Sequence, residues 1–208
     1  MDLQLQDKVI FIAGASRGIG LGMAQGFARE GAKVALTGRG EASLDAARAL
    51  LIKEGAKPEN LLTIAGDMTS SKVLGEALDA TEKKLGPVHC AIANVGLGRA
   101  PLGFDVSDED WEADIQQNLL GGVYLAREAL KRILARPEEA RVGASLILIS
   151  SIAGVDALGT PLTYSATKSA VNHTTKSLAK IVGKDNVRVN AIAPGNIIFE
   201  GGDWQARV

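Results

Sequence analysis

The chain has 208 residues, 46% of them hydrophobic, and its 23 basic residues nearly balance its 24 acidic ones. This composition is typical of one globular domain with a substantial core, and a net charge of -1 argues against nucleic acid or an anionic membrane as partner. The N-terminus lacks the basic region and apolar segment of a signal peptide, so we expect a cytoplasmic protein. His89 and His173 have no carboxylate or cysteine at metal-ligand spacing, so no metal site is expected. Cys90, in an apolar run, is expected to be buried.

Short apolar runs alternate with longer helical patterns along the chain. This alternation predicts a single α/β domain over residues 1–208, with a Rossmann-type, doubly wound parallel sheet in a three-layer α/β/α arrangement. The runs predict strands buried on both faces at 8–13, 33–37, 61–65, 89–94, 145–150 and 187–193. The patterns between them predict helices near 18–30, 41–54, 70–85, 107–135 and 161–183. Ser107 or Asp108 is expected to cap the fourth helix.

A glycine-rich turn, "GASRGIG", follows the first predicted strand and opens the first predicted helix. A turn this tight needs residues without a Cβ, and a helix N-terminus offers unpaired N–H groups to a pyrophosphate. The turn therefore predicts a dinucleotide site, the alternative being a glycine turn that binds nothing. The residues predicted to bind there are Gly14, Ser16, Arg17, Gly18, Ile19 and Gly20.

The end of the second strand bears on which cofactor binds. An acidic residue there would accept hydrogen bonds from the ribose of NAD. The chain instead reads "TGRG", with Gly38 at the expected acidic position and Arg39 after it. Arg39, with Arg17 in the glycine turn, suits a 2′-phosphate, so we predict NADP(H) rather than NAD(H).

The stretch "YSATK" places Tyr164 and Lys168 on one helical face, because side chains four residues apart are neighbours. An ordinary polar face would show the same spacing. A nearby ammonium stabilises a phenolate, which a tyrosine acting as acid and base requires. Ser151, at the end of the fifth strand, could donate a hydrogen bond to a developing oxyanion.

The order "GASRGIG", Asp67, "ANVG" at 93–96, Asn118, Ser151, "YSATK" and "APG" at 193–195 resembles the short-chain dehydrogenase/reductases, in the subgroup that includes many 3-oxoacyl carrier-protein reductases. The resemblance implies that Tyr164 is the catalytic acid/base, with Lys168 as its partner. It further implies that Ser151 holds the substrate oxygen and that Asn118 orients a water leading to Lys168.

The implied reaction is hydride transfer between the nicotinamide and a small-molecule ketone or secondary alcohol. Besides the glycine turn and Arg39, the implied cofactor contacts are Asp67, Met68, Asn94, Gly96, Tyr164, Lys168, Pro194, Gly195 and Ile197. The resemblance also implies a homodimer, or a homotetramer, built on the helices at 107–135 and 161–183.

The sequence departs from the family pattern in three places. Ala93 and Val95 replace an asparagine and an alanine, and Phe199 stands where a threonine commonly contacts the cofactor. Family members also continue beyond this length with a substrate-covering segment, a helix and an edge strand. We therefore expect the chain to be a fragment. The alternative function is then a catalytically silent dinucleotide-binding module, and the substrate's identity is not encoded.

Overall fold

A six-stranded parallel sheet forms the centre of the computed structural model, which describes residues 2–98, 100–199 and 201–202. The strands are β1 (Val9–Ala13), β2 (Lys33–Gly38), β3 (Leu61–Ala65), β4 (Val88–Ala93), β5 (Ser145–Ile149) and β6 (Arg188–Ile192). Their order across the sheet is β3-β2-β1-β4-β5-β6. Every predicted strand is present, with its ends no more than one residue from those expected.

Helices cover both faces of the sheet, so the predicted three-layer Rossmann-type fold is confirmed. They are α1 (Gly18–Arg29), α2 (Glu41–Lys53), α3 (Ser71–Leu85), α4 (Asp108–Ile115), α5 (Gly121–Leu134) and α6 (Leu162–Val182). Short 3₁₀ turns lie at Pro58–Asn60, Glu138–Arg141, Ile152–Gly154 and Gly183–Asp185.

The central strand β1 is buried throughout and divides the apolar core into two. Phe11 packs with residues of α3, α5 and α6, whereas Ile10 and Ile12 pack with residues of α1 and α2. Side chains of a strand alternate between the two faces of a sheet, so a continuous apolar run supplies both cores at once.

The prediction that all six strands are buried on both faces is wrong for the two edge strands. In β6 only Val189 is buried, and Ile192 is 49% exposed. In β3 only Leu61 is buried. Both strands lie at the ends of the sheet, where one side has no neighbouring strand and the helices give less cover.

The predicted helix at 107–135 is interrupted. The π-helical segment Gln116–Leu120 separates α4 from α5, and the N–H of Gly121 bonds to the carbonyl of Gln116. This wider turn includes Asn118, which is only 3% exposed. Ser107 provides the predicted cap of α4, since its Oγ accepts a hydrogen bond from the Asp110 N–H at 3.1 Å.

No helix in the described part of the chain is both long and apolar enough to cross a bilayer. Within the same residues, no three His, Cys, Asp or Glu side chains are grouped so as to hold a metal ion. Cys90 is buried, as expected, and its burial raises the pKa of the thiol. His89 accepts a hydrogen bond at Nδ1 from the Val9 N–H, and its burial lowers the pKa of the imidazole.

Candidate active site

A cleft of about 1420 Å³ runs along the carboxyl ends of the strands. Ligand pockets usually measure roughly 300–1,000 Å³, so this cleft has room for a dinucleotide and a small substrate together. The predicted residues that line it are Gly14, Ser16, Arg17, Gly18, Ile19, Arg39, Asp67, Met68, Asn94, Gly96, Ser151, Tyr164, Lys168, Pro194, Gly195 and Ile197. Gly20 and Asn118 are buried rather than part of the lining.

The glycine turn is held from two sides. The N–H groups of Gly14 and Ala15 donate to the Thr37 carbonyl at 3.1 and 2.8 Å. From the other side, Asn94 Nδ2 donates to the Gly14 carbonyl at 2.7 Å. Among the described residues, the N-cap residue Arg17 makes no side-chain capping hydrogen bond, so the first turn of α1 can offer backbone N–H groups to an anion. These features fit the pyrophosphate of a dinucleotide.

Gly20 brings the first turn of α1 against this loop. A Cβ at this position would overlap the Gly14 carbonyl and lie 2.7 Å from Asn94 Nδ2. Only glycine therefore permits the close approach that shapes the turn.

Two arginines lie at one end of the cleft. Arg17 and Arg39 are exposed, and among the described residues neither forms an ion pair. Asp67 also lines this end, where its Oδ1 accepts hydrogen bonds from the N–H and the hydroxyl of Thr69 at 3.0 and 2.8 Å.

Tyr164 and Lys168 lie together on α6, as their spacing predicts. Lys168 is 3% exposed, and its Nζ donates to the Ile149 carbonyl at 2.8 Å, at the end of β5. The same Nζ lies 5.7 Å from the centroid of the Tyr164 ring. Burial lowers the pKa of Lys168 to about 8, because desolvation penalises the ammonium.

The loop after β4 packs directly against these two side chains. A Cβ at Gly96 would lie 2.9 Å from Lys168 Nζ and 3.1 Å from Asn118 Oδ1. A Cβ at Gly98 would lie 3.1 Å from Cγ of Tyr164. Sequence reasoning named Gly96 but missed Gly98, although the repeated glycine in "GLG" was a visible sign of a close backbone approach.

Ser151 lies two residues after the end of β5 and lines the same cleft. Its Oγ accepts a hydrogen bond from the Ala153 N–H at 3.2 Å, which leaves the hydroxyl hydrogen for another acceptor. The neighbouring Ile152 N–H donates to the Pro194 carbonyl at 3.1 Å, so the "APG" segment is held beside Ser151.

Phe199 packs against the glycine turn. One atom of its ring lies 2.8 Å from where a Cβ would stand at Gly18. The ring therefore covers part of the surface that a pyrophosphate would contact. The rest of the C-terminal end, residues 203–208, lies outside the described residues.

A family model for short chain dehydrogenases matches residues 8–200. The chain belongs to the short-chain dehydrogenase family. It is 34% identical over 198 residues to the 3-oxoacyl-(acyl-carrier-protein) reductase FabG of Chlamydia muridarum, covering 95% of this chain and 77% of that relative. It is 35% identical over 190 residues to gluconate 5-dehydrogenase of Gluconobacter oxydans, covering 91% and 71% of the two chains.

The fold of this dehydrogenase is also similar to solved structures. A short-chain dehydrogenase from Novosphingobium aromaticivorans superimposes with a TM-score of 0.87 at 27% identity, covering 93% of this chain and 70% of that one. The family resemblance is thereby confirmed. The chain is accordingly an oxidoreductase of the dehydrogenase/reductase type, in a family that uses nicotinamide cofactors.

Replacing Gly20 of this dehydrogenase is expected to disrupt the glycine turn. Gly20→Ala should lower affinity for the nicotinamide cofactor, titrated as NADPH and as NADH, at least about tenfold and cost about 1–3 kcal/mol of stability, because the new methyl group overlaps backbone. Gly22→Ala is the matched control, since nothing lies within 4 Å of a Cβ there. It should leave affinity unchanged and stabilise α1 by about 0.5–1 kcal/mol. Fluorescence titration and urea unfolding measure both quantities, and equal affinities in the two variants would contradict the expectation.

The buried ammonium of Lys168 makes stability depend on pH. Its pKa is about 8 in the folded dehydrogenase against an ordinary 10.5, so between these values the unfolded chain binds more protons. The free energy of unfolding should therefore rise through this window by about 3 kcal/mol.

Lys168→Met should lack this rise, whereas Lys180→Met, which removes an exposed lysine of α6, should keep it. Urea unfolding below pH 8 and near pH 10.5 provides the measurement. Parallel pH dependence in the wild type and in Lys168→Met would refute the assignment.

Proposed function

We propose that this chain is an NADP(H)-dependent oxidoreductase that transfers a hydride between nicotinamide and a ketone or secondary alcohol. The observation that carries the proposal is one cleft that combines an uncapped glycine turn with Tyr164, Lys168 and Ser151. An anion site and an acid/base pair in a single cleft are what this reaction needs.

The cofactor, when bound, would supply or accept the hydride, held by the glycine turn, by the loop after β4 and by Pro194–Ile197. Tyr164 is then the group that donates a proton to the carbonyl oxygen in reduction and takes one from the alcohol in oxidation. It lines the cleft from the first turns of α6, with its ring against the loop at Gly98.

Lys168 supports Tyr164 electrostatically. Its ammonium is buried, and it lies on the same helical face 5.7 Å from the centre of the tyrosine ring. A positive charge stabilises the phenolate that exists once Tyr164 has given up its proton, and its effect is larger where water is excluded.

Ser151 and Asn118 complete the proposed site. The free hydroxyl hydrogen of Ser151 can be donated to the substrate oxygen as negative charge develops there. Asn118 lies behind the wall of the cleft, and both its Oδ1 and Lys168 Nζ lie close to where a Cβ would stand at Gly96. This placement supports a role for Asn118 in the proton path to Lys168.

NADP(H) is the cofactor that the two arginines favour. Arg17 and Arg39 are unpaired cations among the described residues, and guanidinium groups suit phosphate recognition. No acid occupies position 38, where NAD-binding sheets place one to hold the ribose.

A second candidate is a dinucleotide-binding module without turnover. It is favoured by Phe199, which stands where a threonine would be expected to contact the cofactor. The Phe199 ring instead covers Gly18. NADPH oxidation in the presence of a ketone distinguishes the two candidates, since only the oxidoreductase carries it out.

Tyr164→Phe should abolish NADPH oxidation with a panel of ketones, by about a hundredfold or more, because it removes the acid. Cofactor affinity should stay within about twofold, since the ring and its packing remain. Tyr124→Phe, at the chain's other tyrosine, is the control and should retain activity. Near wild-type turnover by Tyr164→Phe would exclude the proposed role, and an inactive wild type that still binds NADPH would favour the silent module.

Cofactor preference can be reversed at the end of β2. A Cβ at Gly38 would lie 3.5 Å from Ser16 Oγ, an ordinary contact, so Gly38→Asp can be accommodated. Combined with Arg39→Ala, it should shift the ratio of NADPH to NADH affinity about a hundredfold towards NADH. Arg188→Ala removes an exposed arginine on β6 and should leave the ratio unchanged. If the wild type binds NADH as tightly as NADPH, the predicted preference is wrong.

A further inference from the structure

Asp114 is the buried carboxylate of α4, a helix that carries four other acidic residues, of which Asp110 is half-buried. Asp114 is 9% exposed, whereas Asp108, Glu109 and Glu112 are exposed. Burying a carboxylate costs several kcal/mol unless it is well partnered. No cation pairs with Asp114 among residues 2–98, 100–199 and 201–202.

Two neutral donors hold this carboxylate. Oδ2 accepts a hydrogen bond from the Thr163 hydroxyl at 2.5 Å, and Oδ1 accepts one from Asn118 Nδ2 at 3.2 Å. Thr163 is fully buried in the first turn of α6 and directly precedes Tyr164. The carboxylate thus bridges the start of the Tyr164 helix and the buried amide of Asn118.

The contacts of Asn118 define the orientation of its amide. Nδ2 donates to the Leu97 carbonyl at 2.9 Å, while Oδ1 accepts from the Leu97 N–H at 2.7 Å. With Asp114 as the second acceptor, both Nδ2 hydrogens are used. A flipped amide would turn its oxygen toward two acceptors and its nitrogen toward a donor, so Asp114 adds a further penalty against the flip.

The orientation of this amide matters because Oδ1 and the lysine ammonium both lie close to Gly96. The position that a Cβ would take at Gly96 lies 3.1 Å from Asn118 Oδ1 and 2.9 Å from Lys168 Nζ. Rotation of the amide would present an N–H donor, rather than an acceptor, near the ammonium. Electrostatics and any proton path at Lys168 would both change.

We propose that Asp114 is a positioning residue, anchored by Thr163, that fixes the amide of Asn118 with its oxygen on the Leu97 N–H, close to the Gly96 backbone that Lys168 also packs against. The kinetic consequence, a lower kcat when Asp114 is replaced, rests on the proposed oxidoreductase function. The geometric part concerns only Asp114, Asn118 and Leu97, and it can be measured without turnover.

The kinetic test compares Asp114→Leu with Asp114→Asn. The leucine removes both acceptors and should lower kcat about tenfold or more with cofactor affinity within about twofold, because a misplaced group costs turnover. The introduced asparagine can accept from Asn118 and donate to the Thr163 hydroxyl, so kcat should return to within about threefold of wild type.

A double variant separates positioning from a merely structural role. If Asp114 acts through Asn118, adding Asp114→Leu to Asn118→Ala should lower kcat no further than about threefold. Losses that multiply in the double variant would overturn the proposal. Thr163→Val removes the anchoring donor and should give a smaller loss in the same direction. It takes the place of Asp114→Leu if that variant fails to fold.

Amide hydrogen exchange reads the geometry directly. The Leu97 N–H, which donates to Asn118 Oδ1, should exchange at least about tenfold faster in Asp114→Leu and at the wild-type rate in Asp114→Asn. The Asn94 N–H, bonded to the Ala13 carbonyl, is the internal control. Unchanged Leu97 exchange in Asp114→Leu refutes the proposal, whether or not the wild type turns over. A wild type without turnover refutes only the proposed function.

Discussion

Parallel strands that are joined by crossover helices must all end at the same edge of their sheet, and the site depends on this constraint. The central strand β1 pairs with β2 on one side and with β4 on the other. The chain leaves β1 toward the face that carries α1, whereas the helix that packs under β4 is α5, on the opposite face. A cleft therefore opens between the loop that follows β1 and the loop that follows β4. The hydrogen bond from Asn94 to the Gly14 carbonyl joins these two loops.

Around this cleft the chain buries polar groups that contribute little to stability. The ammonium of Lys168 is held by one carbonyl, and the carboxylate of Asp114 by two neutral donors. Desolvation of such groups is unfavourable, and the two apolar cores on either side of the sheet must offset it. Both groups lie at the proposed active site, Lys168 next to the Tyr164 ring and Asp114 on the hydroxyl of Thr163.

Much of the fold was predictable because its signals are local. Continuous apolar runs gave the strands to within one residue at each end, and Ser107 capped α4 as one of the two expected candidates. The burial of β3 and β6 was overestimated, since a run of apolar residues does not reveal whether a strand lies at the centre or the edge of a sheet. The π-helical turn at Gln116–Leu120 is too short to give a periodicity of its own, so the sequence predicts a continuous helix there.

The sequence by itself determined the order of strands and helices, the glycine turn and the pairing of Tyr164 with Lys168, since each depends on residues close together in the chain. Only the tertiary structure decided the burial of Lys168 and Asn118, the packing of Gly98 on Tyr164, and the contact of Asp114 with Thr163. These features join segments that are distant in the sequence. Hydrogen-bond partners and desolvation are set by such long-range packing, which no local pattern of residue types records.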